Sequence, residues 1–284
     1  AAVDLLIKSQ KDNKADQKGN FRALQNYGMY GPYNSTRNIL SEQQLKSMDP
    51  QKLLNVLKNL KNYKQTVLYY GPSSIKDIDN LLAKTFKTAK KFAPLPKEKR
   101  YTLQTTPQNE VIIAPYNAKN IYMVQFHNEN KEWNPNDAAK ISLFNEYFGG
   151  GMNAIVFQEM REARALAYTA SASYHMPNRL GDKDYFNTFI ITQNDKMMDC
   201  IAQFNELLNN MPVRLANFDL AKQNLLKSLA STRTTKFSIL SAYMNAQKMG
   251  LNCTLSEKIY NDLPSVTFDL SLIHISEPTR LGMI

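Results

Sequence analysis

A chain of 284 residues is long for a single hydrophobic core and suits two domains or parts of domains. Its 43% hydrophobic and 21% charged residues are those of an ordinary globular chain, and no apolar run approaches the roughly 18–20 residues of a membrane-spanning helix. The net charge of +10 is uneven: residues 1–100 hold 19 Lys+Arg against 8 Asp+Glu, and residues 101–284 hold 16 against 17.

The first segment, "AAVDLLIKSQKDNKADQKGN", has no initiating Met and no charged-then-apolar signal pattern, and reads as the interior of something longer. Asp49-Pro50 predicts a helix start, with Asp as N-cap and Pro at the first helical position. Leu53, Leu54, Val56, Leu57 and Leu60 then form a one-sided stripe at helical spacing. "QTVLYYG" is expected to be a short buried strand ended by Gly71-Pro72. "SSIKDIDNLLAKTF" is expected to be a helix capped by Ser73 or Ser74. Residues Lys87 to Arg100, "KTAKKFAPLPKEKR", break the periodicity with Pro and Lys and read as a linker.

Beyond it, "NEVIIAPY" and "NIYMVQFHN" predict strands at Val111 to Tyr116 and Ile121 to Phe126, with a turn at Asn117 to Asn120. Asn134-Pro135 opens a helix through Phe148, closed by Gly149, and another helix runs from about Ala154 to Arg164. "ALAYTASASYH" and "YFNTFIITQ" form an expected hairpin across the polar turn "PNRLGDKD". Helices follow at 194–210, 217–232 and 234–249, the last stopped by Gly250. Strands followed by helices give an α+β class: an antiparallel sheet with helices packed on one face.

A faint repeat relates "ILSEQQLKSMDP" at Ile39 to Pro50 with "TLSEKIYNDLPS" at Thr254 to Ser265, about 215 positions on, each after a helix-ending Gly. It divides the chain into residues 1–90, the C-terminal part of a preceding homologous domain; 91–105, a linker; and 106–270, a last, truncated domain. Both copies would be incomplete. The end, "SLIHISEPTRLGMI", resembles a translated sequencing-adapter peptide, and residues 271–284 are set aside as a non-native tail.

The block "EYFGGGMNAIVFQEMREARALAYTASASY" carries a family resemblance. It is similar to the C-terminal homologous half of insulinase/pitrilysin-family zinc metallopeptidases, which include the mitochondrial processing peptidases. The resemblance covers residues 1–270 in layout and 143–175 in motif. It implies repeated domains, each an antiparallel sheet backed by helices. It also implies an inverted zinc motif, H-x-x-E-H, in a separate N-terminal half. The second half of such enzymes lacks zinc ligands but carries an Arg and a Tyr seven positions apart, here Arg161 and Tyr168. By the resemblance these two are accessory catalytic residues that bind peptide and stabilise the tetrahedral intermediate.

The chemistry agrees. Hydrolysis builds negative charge on the scissile carbonyl oxygen, and preorganised donors aimed there lower the barrier. An arginine is protonated at any working pH and a tyrosine keeps its phenolic proton near neutrality, so both act as donors and neither as a general base. Without the motif, an ordinary reading stands beside it: Arg161 paired with Glu159 or Glu162 on the surface, and Tyr168 filling the core. Arg164, one turn on, is read as solvated. Gly149 to Gly151 are read as a tight helix-to-helix turn, because no Lys-Ser/Thr follows for a phosphate loop.

His127, His175 and His274 lack a second His at ligand spacing, and neither H-x-x-E-H nor H-E-x-x-H occurs. Cys200 and Cys253 are free to pair or to stand alone. No cofactor is expected in this chain, and zinc is expected in the other half, so the chain alone should not hydrolyse peptides. The implied partners are that zinc-bearing half or subunit and a peptide substrate. The alternative is a catalytically inactive structural or interaction subunit of the same fold. Nucleic acid is not an expected partner, since the lysines lie along helices without aromatics or a recognisable motif. Localisation stays open, a periplasmic or extracytoplasmic place suiting a bacterial relative.

Overall fold

The computed structural model describes residues 2–87, 89–128 and 130–269. The expected tail at 271–284, and His274 within it, lie outside the described residues. Three helices come first: α1 (Ala2–Ala15), α2 (Gln17–Tyr30) and the short α3 (Glu42–Lys46). Asp16 caps α2 by accepting from the Gly19 N–H, and Gly31 ends it at φ 71°, where a side chain would be strained. Ser41 and Gln44 form a reciprocal capping box at the start of α3.

Next come α4 (Pro50–Asn59) and α5 (Ile75–Thr85), which begin where their caps predict: the Asp49 carboxylate accepts from the Gln51 N–H, and Ser74 accepts from the Asp77 N–H. No residue of either helix is buried, and the stripe Leu53, Leu54, Val56, Leu57 and Leu60 is open to solvent.

Two expected strands are absent. Residues 65–71 form no ladder, and Val67, Tyr69 and Tyr70 are exposed rather than buried. Residues 111–116 are likewise unpaired, with Val111 at 83% and Ile113 at 80% exposure. β-propensity describes a side chain that fits a pleated, half-covered surface, and among the described residues neither segment has a neighbouring strand to supply one.

The sheet consists of β1 (Asn120–His127), β2 (Thr169–His175) and β3 (Tyr185–Gln193). Its order is β1-β3-β2, antiparallel throughout, with Met123 opposite Ile190 and Ala172 opposite Thr188. β2 and β3 are the expected hairpin. Along β3 the buried residues Phe186, Thr188, Ile190 and Thr192 alternate with half-buried ones, so one face meets the core.

That face packs on α6 (Ala138–Phe144), α7 (Ile155–Phe157) and α8 (Met197–Asn209). Both α6 and α7 continue as π-helical turns, Asn145–Gly149 and Gln158–Ala163. Phe144 stacks on Phe148 at 5.2 Å and meets Phe186 edge-on at 6.3 Å. Each such buried ring contributes about 1.5–3 kcal/mol of transfer free energy. Outside this layer lie α9 (Leu215–Ser231), α10 (Ile239–Lys248), which begins five residues later than the expected 234, and α11 (Leu255–Asp262). The class is α+β. Within residues 120–269 the helices share one face of the sheet. From the first segment, α2 lies against the other face, its Phe21 packed on Tyr122 at 5.5 Å and Phe189 at 6.0 Å.

The two segments of the proposed repeat each end a run of three helices with a glycine before the third: α1, α2, Gly31 and α3, and α9, α10, Gly250 and α11. Each closing glycine has φ near +70°, and the third helix packs on the first in both copies. The caps of α3 and α11 are Ser41 and Thr254, 213 positions apart, so the sequence offset of 215 is out of register by two.

Candidate functional site

The junction between the second π-helical turn and β2 carries both residues singled out in the sequence. Met160 is fully buried and anchors the turn, and its carbonyl accepts from the N–H groups of Leu166 (2.9 Å) and Ala167 (3.3 Å). The chain reverses at Ala165, which adopts φ 49°, a left-handed conformation uncommon for a residue with a side chain. Lys196 Nζ donates to the Ala165 carbonyl at 3.0 Å. Next along, the Leu166 carbonyl accepts from Thr192 Oγ1 at 2.5 Å and from the Cys200 thiol at 3.2 Å. The Tyr168 N–H donates to the Ile191 carbonyl at 2.9 Å, which starts the β2–β3 ladder.

This mounting brings Arg161 and Tyr168 together. The Arg161 guanidinium lies 5.8 Å from the centre of the Tyr168 ring and 5.1 Å from that of Phe157, within the range of a cation–π contact. Tyr168 is 75% exposed, so it does not fill the core. Arg161 has a long ion pair with Glu162, at 3.8 Å, rather than one with Glu159. Arg164 is not simply solvated: its Nε stands 3.7 Å from Glu159, whose other oxygen accepts from Arg214 Nη2.

Sequence reasoning missed Phe157, although its place four residues before Arg161 on a helix is a legible signal. It also missed Lys196, Thr192 and Arg214, for which nothing local gives a signal. The glycine turn is as expected between helices. Gly149 lies directly on Ala172 of β2, where a Cβ would overlap the Ala172 carbonyl, while Gly151 stands in open space.

The remaining candidates are engaged elsewhere. His127 Nδ1 meets Thr106 Oγ1 at 3.1 Å. His175 Nε2 meets Asn187 Oδ1 at 2.8 Å, and its ring stacks on Tyr185 at 4.5 Å. Burial holds the His175 pKa below its ordinary value and pushes the Tyr185 phenol up to about 12. Cys200 and Cys253 are both free thiols, and burial raises the pKa of Cys200. Among the described residues no group of three or more His, Cys, Asp or Glu side chains is disposed to hold a metal ion, so these residues do not fit a zinc site. No described helix is long and apolar enough to cross a membrane. A cleft of about 530 Å³ is lined by Pro135, Gly250, Cys253 and Lys258, among others, and includes neither Arg161 nor Tyr168.

The family model of the peptidase M16 inactive domain matches residues 48–225, more than half of the chain and all of this junction. The chain belongs to the peptidase M16 inactive-domain family. A search of the curated proteins finds no match. Among solved structures, the M16 chain is similar to a peptidase M16 inactive domain from Pseudomonas fluorescens, at 16% identity and a TM-score of 0.69, over 100% of this chain and 66% of that one. It is similar to the periplasmic protease PqqL from Escherichia coli, at 14% identity and TM-score 0.66, over 98% of this chain and 30% of that one. It is also similar to the ferredoxin protease FusC, solved in complex with Arabidopsis ferredoxin, at 11% identity and TM-score 0.65, over 93% of this chain and 30% of that one. The M16 chain thus spans about two thirds of the first of these structures and under a third of the other two. At these identities the likeness is one of fold.

Proposed function

We infer that this chain is the non-zinc half of an M16 zinc metalloendopeptidase. It closes over a zinc-bearing half, forms part of the wall of an enclosed chamber, and presents Arg161 and Tyr168 to a bound peptide. The observation that carries this reading is the pairing of an exposed phenol and a guanidinium on a junction whose backbone is held at Met160, Ala165, Leu166 and Tyr168. Such an anchored, outward-facing donor pair suits the developing oxyanion of peptide hydrolysis, because little reorganisation is needed as charge appears. π-Helical turns are rare and recur at functional sites, and one of them carries Arg161. Similarity in fold to PqqL and FusC, both proteases, is in keeping with the reading.

The partner is the zinc-bearing half, linked in one polypeptide or supplied as a subunit. The peptide is taken up as a strand added to that half's sheet edge. The chemistry assigned to this chain is donation from Tyr168 Oη and the Arg161 guanidinium to the substrate carbonyl oxygen.

The test is Tyr168→Phe in the assembled peptidase. Loss of one oxyanion donor should lower kcat by roughly 10²-fold or more, with KM little changed. Arg161→Lys keeps the charge but loses the planar fork and should be impaired as well. Tyr260→Phe, at an exposed tyrosine on α11, serves as the control. Full activity in Tyr168→Phe would reduce this segment to a structural wall and favour an inactive interaction subunit.

A further inference from the structure

Two arginines near Arg161 are already engaged, and one carboxylate engages both. Glu159 lies two positions before Arg161 on the same π-helical turn, and its side chain is only 15% exposed. One of its oxygens accepts from Arg214 Nη2, and the other lies 3.7 Å from Arg164 Nε. Arg214 is itself anchored at the start of α9. Its backbone N–H donates to Tyr147 Oη at 3.1 Å, and the Tyr147 hydroxyl donates to the Pro212 carbonyl at 2.6 Å. Tyr147 is buried in the core, edge-on to Phe218 at 5.8 Å. Glu159 therefore connects the Arg161-bearing turn to a part of the core built from the first π-helical turn and α9.

Helical residues two apart point to nearly opposite sides. Glu159 faces inward to Arg214 while Arg161 faces outward over Tyr168. The enclosed carboxylate takes one close contact, with Arg214, and a long one with the half-exposed Arg164. Arg161 is left with Phe157, Tyr168 and the long contact to the exposed Glu162. Were Glu159 uncharged, Glu162 would be the remaining carboxylate of the turn, and three guanidinium groups would compete for it.

We propose that Glu159 is a positioning residue for Arg161: by pairing with Arg214 it fixes the π-helical turn to α9 and keeps the Arg161 guanidinium over the Tyr168 ring, where it can meet substrate. The functional half of this statement rests on the peptide-contacting role of the Arg161–Tyr168 pair; the structural half does not.

The experiment has two arms. In the first, the full chain carries ¹³C-labelled tyrosine rings, and the Tyr168 resonance is assigned by its loss in Tyr168→Phe. Arg161→Lys shifts that resonance by changing the cation above the ring, and Glu159→Gln should shift it in the same direction. A Glu159→Gln protein with a lower Tm but the wild-type Tyr168 resonance would overturn the proposal, since a purely structural carboxylate gives that result.

In the second arm, kcat is measured in the assembled peptidase. Misplacing a catalytic contact by about 1 Å can cost roughly 10²-fold, and Glu159→Gln should approach that loss with KM little changed. The double variant Glu159→Gln/Arg161→Lys should be no slower than Arg161→Lys alone, because the two act through one contact. Multiplying losses would overturn the proposal. Full activity in Arg161→Lys would instead sink the peptide-contact reading and with it the functional half, while the first arm still decides whether Glu159 places Arg161. If Glu159→Gln does not fold, Arg214→Ala cuts the same tie from a partly exposed residue, and the same outcomes apply.

Discussion

Gly149, at the end of the first π-helical turn, lies against the carbonyl of Ala172 in β2 with no room for a Cβ between them. The contact lets the helix approach the strand at backbone distance and sets β2 beneath the layer that carries Arg161. Because the obstacle is backbone rather than a flexible side chain, Gly149→Ala is expected to destabilise by about 3 kcal/mol, the upper part of the range for overpacking. Gly151 meets nothing within 4 Å, so Gly151→Ala should change stability by less than about 1 kcal/mol. Urea midpoints of the two variants decide it, and equal midpoints would contradict the close approach.

Tyr168 and Phe186 make a second contrast. Tyr168 is 75% exposed and Phe186 1%. Tyr168→Ala should leave the thermal midpoint within a degree or two of wild type, whereas Phe186→Ala should cost about 3–5 kcal/mol. A large stability loss in Tyr168→Ala would return that ring to the core.

His175 gives a pH dependence whose sign follows from its burial. Burial lowers its pKa from the ordinary 6.5, and the hydrogen bond with Asn187 offsets part of that. The folded state therefore favours the neutral imidazole, and the unfolded chain takes up the proton first. The resulting stability is present above about pH 6.5 and is lost as pH falls towards the folded-state pKa. His175→Phe keeps a ring over Tyr185 and removes the titration. Its stability should fall less than that of wild type between about pH 7.5 and pH 5.5 in urea titrations. Parallel curves would mean that His175 titrates alike in both states.

The proposed division of the chain at 91–105 can be read by trypsin. Residues 91–97 are exposed and without regular structure. Glu98 and Arg100 pair with Arg179 and Asp182, and the Gln104 N–H donates to the Met29 carbonyl at 2.7 Å. Cleavage is expected at Lys90, Lys91 and Lys97 before Arg100, and well before Lys222, whose ammonium donates to the Pro264 and Val266 carbonyls. Early cleavage at Lys222 with Lys90–Lys97 intact would argue for one continuous unit.

Where local chemistry decides an element, the sequence was legible. Asp49-Pro50 and Ser74 start helices because a cap is satisfied within three residues. The β2–β3 hairpin follows from alternation across a polar turn. Residues 65–71 and 111–116 have the same strand composition but no partner, and a strand is a property of a pair. The site divides in the same way. Arg161 and Tyr168, seven positions apart, were singled out by the motif block at 143–175, and Phe157 lay within reach of helical spacing. Arg214 is 55 positions from Glu159, and their contact exists only once α9 has packed on the first π-helical turn.

The register of the sheet also orders events in time. The innermost pair of β2 and β3, His175 and Tyr185, is ten positions apart, whereas that of β1 and β3, His127 and Phe186, is 59. Closing the larger loop costs more chain entropy, so the hairpin is the element that can form early and β1 the one that docks late. The Tyr168 N–H bonds to β3, not to β1. The rim of the hairpin that carries the phenol can therefore be assembled while β1 is still unpaired, and a lesion confined to β1 should slow the final zipping step more than it disturbs that rim.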